Sequence, residues 1–397
     1  MSITKLRKDF PLLEKNLVYF DNASTTQKPQ AVIDSITNFY TTSNANVHRG
    51  LYALAEEATQ LYEDARRTVA QFIGAQFEEV VFTRGTTESI NFVAMAWGNE
   101  HISTGDEILI TEMEHHSNMI PWQELAKRKG AVLKIVPLHS DGTLMIEKVP
   151  DLLSKKTKII AVSHVSNVLG VHNDMTVLKD FARQVGALFL IDAAQSVAHQ
   201  NIDVIKLDCD FLAFSGHKML GPTGIGVLYI KKALHDIIPP YQFGGGMVFQ
   251  ANTQEATWLA APHKFEAGTP PIAQAVGLAK AIEYINKNIN FIDLERYEAQ
   301  LCTQLIDGLI GIKKIKIFGP LEQLKEKGHM ISFAVTGYHA HDVATYLWQQ
   351  GICVRAGNHC AQPLTQFLAV DAITRASFYF YNTVEEVDHL IKVMQLL

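Results

Sequence analysis

The chain is poor in cysteine and carries no excess of either charge, and each shortage excludes something. Four cysteines in 397 residues are too few for a disulfide framework, so each is expected as a separate free thiol. Lys+Arg number 35 against 41 Asp+Glu, a formal net charge of −6. That balance offers no basic footprint for nucleic acid or an anionic membrane surface. No apolar run approaches the roughly 18 residues of a membrane helix. No 20–50-residue repeat, low-complexity tract or Pro/Ser-rich linker appears, so the domains are expected to pack together. The opening stretch, Met1 to Pro11, has charges where a signal peptide needs its apolar core. A cytoplasmic, reducing location is the expectation.

What is present is core-forming material. Apolar residues make up 47% of the chain, a soluble globular proportion, and the length suggests about two to three domains. Short Val/Ile-rich runs predict strands at Glu79–Thr83, Glu107–Thr111, Val132–Pro137, Lys158–Ser163, Ala187–Asp192, Phe211–Ser215 and Ile225–Ile230. Helical patterns lie between several of them: Glu88–Trp97, closed by Gly98, and Met175–Val185, closed by Gly186. This alternation predicts an α/β fold, a mostly parallel sheet with helices on both faces, which binds ligands at the strands' carboxyl ends. After Pro270 the texture changes. Helices are predicted at Ile272–Asn288, Phe291–Leu309, Asp342–Gln350 and Val384–Leu396, and strands at Lys314–Phe318, Met330–Val335 and Ile352–Arg355. These read as a smaller α+β domain.

Four polar groups follow four predicted strands. Ser215-Gly-His-Lys218 leaves an apolar run, where partial desolvation would free the lysine amine as a nucleophile. The glycines behind it, Gly221, Gly224 and Gly226, fit neither a dinucleotide fingerprint nor a P-loop. Asp192 ends another apolar run; it either caps the next helix or faces a pyridine nitrogen, and with a Schiff-base lysine it makes the pair that pyridoxal phosphate chemistry needs. Thr86 and Thr87 open a helix after Arg84-Gly85, as an N-cap or as a phosphate seat. His115 follows a third strand and Asn167 a fourth. An imidazole there can lie on a cofactor ring and exchange protons. The His115-His116 pair does not have usual metal-ligand spacing, and no metal is expected. Each group has an ordinary structural explanation alone; together they mark one sheet edge.

These residues, with Phe20-Asp-Asn-Ala-Ser, Asn46-Val-His-Arg-Gly50, Phe265-Glu-Ala-Gly-Thr-Pro270 and Arg355-Ala-Gly-Asn-His-Cys-Ala-Gln-Pro363, give the chain an end-to-end resemblance. It resembles the pyridoxal-phosphate-dependent cysteine desulfurases of fold type I, in the Suf-type, class V aminotransferase-like subgroup related to selenocysteine lyase. The resemblance implies a large domain at 21–270 with a seven-stranded sheet. It also implies a small C-terminal domain at 271–397 carrying the Cys360 loop, and a segment at 1–20 packed with that small domain. It implies conversion of L-cysteine to L-alanine, with the sulfur passing to Cys360 as a persulfide for iron–sulfur cluster assembly. Selenocysteine lyase and aminotransferase are the alternatives on the same scaffold.

The resemblance also implies roles. Lys218 would form the Schiff base with the cofactor and move protons. Asp192 would pair with the ring nitrogen, Gln195 and Asn167 would contact the phenolic side, and His115 would stack on the ring. Thr86, Thr87, Ser215 and His217 would hold the phosphate, joined by Gly268 and Thr269 from the partner subunit of a homodimer with a shared active site. Arg375 would bind the substrate carboxylate, and Arg355, Asn167, His48 and Ala23 would line the substrate pocket. Cys360 would be the nucleophile, its thiolate favoured by Arg355 and His359. Cys209, Cys302 and Cys353 would be structural. Asn358 stands where the family usually has a histidine. The short Cys loop suggests that a sulfur-acceptor protein must come to the persulfide. His339-Ala-His341 stands just before Asp342, where an N-cap is expected; the histidines are either structural, or His341 lies near Cys360 and can coordinate a metal carried by that acceptor.

Overall fold

In the computed structural model, which describes residues 3–15 and 17–397, the seven predicted strands form one sheet. Its order is Val80–Thr83, Gly226–Ile230, Phe211–Ser215, Leu188–Asp192, Thr157–Ser163, Glu107–Thr111, Val132–Val136. Gly226–Ile230 runs antiparallel to both neighbours, and every other pairing is parallel. The inner strands alternate between two cores. Val81, Ile108, Ile110, Ile159, Leu190 and Phe211 point to one; Phe82, Leu109, Ile160, Phe189, Ile191 and Leu212 point to the other. A sheet covered on both faces reads as continuous apolar runs, which is why these strands are visible in the sequence.

The helices show the local rules and where they yield. Met175–Val185 starts at Asp174, whose carboxylate accepts from Thr176 N–H and Val177 N–H, and ends at Gly186 with φ 76°. The helix expected at Glu88–Trp97 instead runs Thr86–Met95, and a second short helix, Trp97–His101, contains Gly98. Gly98 is there for packing: a Cβ would lie 2.5 Å from Leu125 Cδ2. Neither Thr86 nor Thr87 caps the helix. Gly85 is the N-cap, with φ 154°, because the chains are pressed together at this point: a Cβ on Gly226 would sit 2.4 Å from Gly85 Cα.

The second sheet is antiparallel, in the order Ile315–Phe318, Met330–Val335, Ile373–Ser377, Arg355–Gly357. It has its own core with Leu305, Ile331, Phe333, Val387 and Leu390. The strand expected at Ile352–Arg355 is two. Ile352–Cys353 pairs with Val18–Tyr19 in parallel, and Arg355–Gly357 pairs with Ile373–Ser377. Of the N-terminal segment, Met1, Ser2 and Asn16 lie outside the described residues. Phe20 joins the small-sheet core, and Phe10 packs on Tyr284, Phe380 and Tyr381. Helix Ile272–Asn288, just past the division expected at Pro270, buries Ala275, Leu278 and Ile282 in the large-sheet core. Among the described residues no helix is long and apolar enough to cross a membrane.

Candidate active site

A cavity of about 230 Å³ opens where the carboxyl ends of the large-sheet strands face the small sheet. It is lined by Asp192, Ser215, Lys218, His115, Thr86, Thr87, Asn167, Gln195, His217, Ala23, Arg355, Arg375 and Cys360. Thirteen residues singled out in the sequence therefore share one chamber.

On the sheet side, Asp192 closes its strand and its Oδ1 accepts Ala194 N–H at 2.9 Å. Burial pushes its carboxyl above the usual carboxylate range, opposed by that N–H and by Lys218. A cationic ring nitrogen placed against it would relieve the desolvation. Lys218 follows the next strand on a short turn, Gly216–Lys218. Burial pulls its amine down to about 8, with Asp192 opposing and Arg375 and Arg355 assisting. Ser215 Oγ accepts Thr86 N–H at 2.9 Å and bonds Thr86 Oγ1 at 2.8 Å. Thr87 Oγ1 meets Ser117 Oγ at 2.6 Å. Four hydroxyls and a helix start form a donor-rich seat suited to a phosphate. His115 Nδ1 accepts Ser117 N–H at 3.0 Å, leaving Nε2 to carry the proton. Burial, then Lys218 and His116, drive its pKa down to about 3, so the ring is neutral. An acid, an amine and an anion seat in one chamber fit pyridoxal phosphate.

Arg375 is 2% exposed. It pairs with Asp21 at 3.2 Å, donates to Ser24 Oγ at 2.9 Å and to the Asn167 carbonyl. Burial draws it down to about 10 against the pull of Asp21. A half-satisfied guanidinium in a cavity is a carboxylate receptor.

Cys360 is the exposed one of four free thiols; Cys209 and Cys302 are buried and Cys353 is half-buried. Cys360 and His359 both occupy the left-handed region, φ 55° and 50°. The loop is tied to the large sheet: His116 N–H donates to Cys360 O at 2.7 Å and Asn167 Nδ2 donates to His359 O at 2.8 Å. Two expectations change here. His359 does not supply positive charge to the thiol, because burial drives its pKa down to about 3 and its Nε2 faces Ile373 O at 3.1 Å. Asp342 is not an N-cap: His339 is, its ring accepting His341 N–H, and Asp342 lies in the first turn. His341 Nε2 lies 3.8 Å from where a Cβ on Gly357 would be, three residues before Cys360.

Three expected residues lie elsewhere. Gly268 and Thr269 line a separate cavity with Arg84, Glu88 and Glu266. His48 bonds Glu63 at 2.7 Å and packs edge-on against His263. The segment holding Gly268 is anchored by Glu266, which accepts from Nη1 and Nη2 of the buried Arg66 and from the Tyr62 hydroxyl.

Sequence reasoning missed the supporting residues. Glu114, fully buried, accepts from Thr111 Oγ1, Asn118 Nδ2 and Ser163 N–H, and burial lifts it to about 7. Asp21 and Ser24 belong to the Phe20–Ser24 motif, but only the fold brings them to Arg375.

The family model described as Aminotransferase class-V matches residues 18–390. The chain is similar to a protein of Halalkalibacterium halodurans named "probable cysteine desulfurase", 47% identical over 401 residues, covering 100% of this chain and 98% of that one. A Staphylococcus epidermidis protein of the same name is 48% identical over 394 residues, covering 98% and 95%. Among solved structures, the apo cysteine desulfurase of Thermococcus onnurineus NA1 superposes with a TM-score of 0.95 at 42% identity, covering 99% and 97%. The Escherichia coli cysteine desulfurase CsdA gives 0.93 at 38%, covering 100% and 98%.

Proposed function

The chain belongs to the class V aminotransferase family and to the cysteine desulfurases within it, and from that premise we propose that it converts L-cysteine to L-alanine and takes the sulfur onto Cys360. The observation that carries this is the cavity that holds both Lys218 and an exposed cysteine, Cys360. An aminotransferase has no use for that thiol.

Pyridoxal phosphate, when bound, supplies an aldehyde that amines join and a ring that holds the electrons released at the substrate's α-carbon. The chain does the rest. Thr86, Thr87, Ser215 and His217 hold the phosphate, and Asp192 keeps the ring nitrogen protonated. Gln195 and Asn167 would border the phenolic oxygen, and His115 would offer its Nε2–H to the bound ring. Arg375, with Arg355 beside it, fixes the substrate carboxylate against Ala23. Lys218, close to half neutral near pH 8, takes the α-proton and returns a proton to the product. Cys360 Sγ attacks the substrate sulfur: an S–S bond forms, the substrate's C–S bond breaks, and its electron pair ends, protonated, on the alanine methyl.

The reading includes a homodimer in which Gly268, Thr269 and His48 serve the partner's site. Its support is that these three lie outside their own chain's cavity, while nearby Leu51 and Tyr52 are exposed. It also includes a sulfur-acceptor protein of iron–sulfur assembly, metal-bearing and approaching past His341, and a cytoplasmic location. The exposed Cys360 supports the former and four free thiols the latter.

The test is mass spectrometry of the protein after L-cysteine. One added sulfur on the Cys360 peptide, lost in Cys360→Ser, is expected. Alanine formed in equal yield by Cys360→Ser, with no sulfur on the native Cys360, would overturn the reading.

A further inference from the structure

The turn that presents Lys218 is braced from behind. The carbonyl oxygen of His217, in the peptide that enters Lys218, accepts from Thr26 N–H at 3.1 Å, Thr25 Oγ1 at 3.0 Å, Thr26 Oγ1 at 3.2 Å and Lys28 Nζ at 2.9 Å. Thr26 Oγ1 in turn accepts Leu220 N–H at 2.8 Å, so both sides of the turn are held by one residue. A carbonyl has two lone pairs and is satisfied by fewer donors. Four converging on one oxygen restrict position rather than merely satisfy a polar atom.

Lys28 is the charged member of this group. Its ammonium is held by the main-chain oxygens of Thr26 and His217 and the hydroxyls of Thr25 and Thr26. It is half-buried and meets no carboxylate among the described residues, a costly arrangement, and desolvation draws its pKa down to about 7. Such a cost is tolerated where it holds something in place. The segment continues upstream to Ser24, which bonds Arg375 and Arg355 at 2.9 and 3.2 Å, and to Asp21 on Arg375. It therefore spans from the substrate-carboxylate receptor to the lysine.

We propose that Thr25, Thr26 and Lys28 are positioning residues that clamp the Lys218 peptide and fix the direction from which its amine enters the cavity. The proposal rests on the reading of Lys218 as the amine that joins the cofactor and moves the substrate proton. A long flexible side chain is only as well aimed as its Cα, and a 1 Å misplacement at a reacting centre costs about 10²-fold.

The test is competitive acylation of lysines in the cofactor-free protein across pH, read peptide by peptide by mass spectrometry, beside steady-state kinetics of the holoenzyme. In the wild type Lys218 is expected to titrate near 8. In Lys28→Met its titration moves up by about one unit toward the ordinary lysine value, and kcat falls about 10–100-fold with KM for L-cysteine little changed. Lys28→Gln, which keeps a donor for the His217 carbonyl but no charge, recovers most of kcat. Thr25→Val moves the same two readouts in the same direction by less, and serves if Lys28→Met does not fold. Unchanged Lys218 titration in Lys28→Met and Thr25→Val, or no recovery in Lys28→Gln, overturns the clamp. Failure of the underlying reading looks different: cofactor bound to the wild type would not shield Lys218 from acylation.

Discussion

The two walls of the cavity are built by opposite means. On the sheet side, Asp192 and Lys218 stand at or just past the ends of strands whose other residues are buried, Leu188 alone being half-buried. Their backbones are fixed by ladder bonds and packing. On the small-domain side, Cys360 stands exposed on a turn with two consecutive left-handed non-glycine residues, each costing about 1–2 kcal/mol of strain. That turn is held by hydrogen bonds to His116 and Asn167 on the other wall. Proton movement at a carbon needs fixed geometry, whereas a thiol that receives sulfur and gives it away needs access from outside. The difference in construction follows that division of labour.

Breaking one wall at a time separates the two functions. Lys218→Ala is expected to remove turnover by at least about 10²–10⁴-fold and to stop exchange of the substrate α-proton with solvent deuterium, followed by NMR. Cys360→Ser is expected to keep that exchange and lose only the sulfur on the protein. Equal loss of exchange in both would mean that the walls do not act separately. Arg375→Met comes next. Removing a buried guanidinium that receives a carboxylate should lower kcat/KM by about 10–100-fold, mostly through KM; steady-state kinetics on L-cysteine decides this.

Asn167→Ala addresses the join between the walls and should do less. It removes the donor to His359 O, worth about 1 kcal/mol, and loosens the turn that carries Cys360. The expected result is faster alkylation of Cys360 by iodoacetamide and a few-fold slower sulfur transfer, with α-proton exchange within about threefold of wild type. A larger loss of exchange than of transfer would show that the contact of Asn167 with the ring outweighs its hold on the loop.

The same contrast explains what could be read in advance. Most large-sheet strands are legible because both faces are buried and the runs are apolar; the edge strand Val132–Val136, where only Val136 is buried, is legible from its Val and Ile residues alone. Asp192 and Lys218 are legible because they are polar where such a run stops. Residues working through cross-domain contacts carry no local mark. Glu114 looks like any acid in Glu112-Met-Glu-His, and its three donors come from different elements. Helix Ala53–Ile73 escaped because buried Glu63 and Arg66 interrupt its apolar face; they pair with each other, and Arg66 is completed only by Glu266, 200 positions on. Ile352–Arg355 reads as one strand because apolar pattern does not reveal that its halves pair with different partners.

The seam between the walls gives the smallest effect and one whose sign is fixed. His199, Glu298 and His329 lie buried together there, with His172 beside them. The rings of His199 and His329 are stacked, 13° apart in plane and 3.8 Å between centroids, so their in-plane lone pairs run side by side instead of converging on one cation. Neither nitrogen of His329 nor Nε2 of His172 has a hydrogen-bond partner among the described residues. Burial, helped by His199 and Arg375, holds His329 well below the ordinary imidazole range, and burial, helped by His329, holds His172 at about 2. Both are neutral in the folded protein, while unfolded histidine protonates below about 6.5. The unfolded state thus binds more protons as pH falls, and each such ring costs up to about 1.4 kcal/mol of stability per pH unit below that point. Stability should therefore drop from pH 6.5 toward 4. His329→Phe, which keeps the ring stack without a titrating group, should flatten that drop by about one histidine's share in chemical denaturation, with activity at pH 8 unchanged. An equally steep acid limb in His329→Phe would show that this ring is not held neutral by the seam.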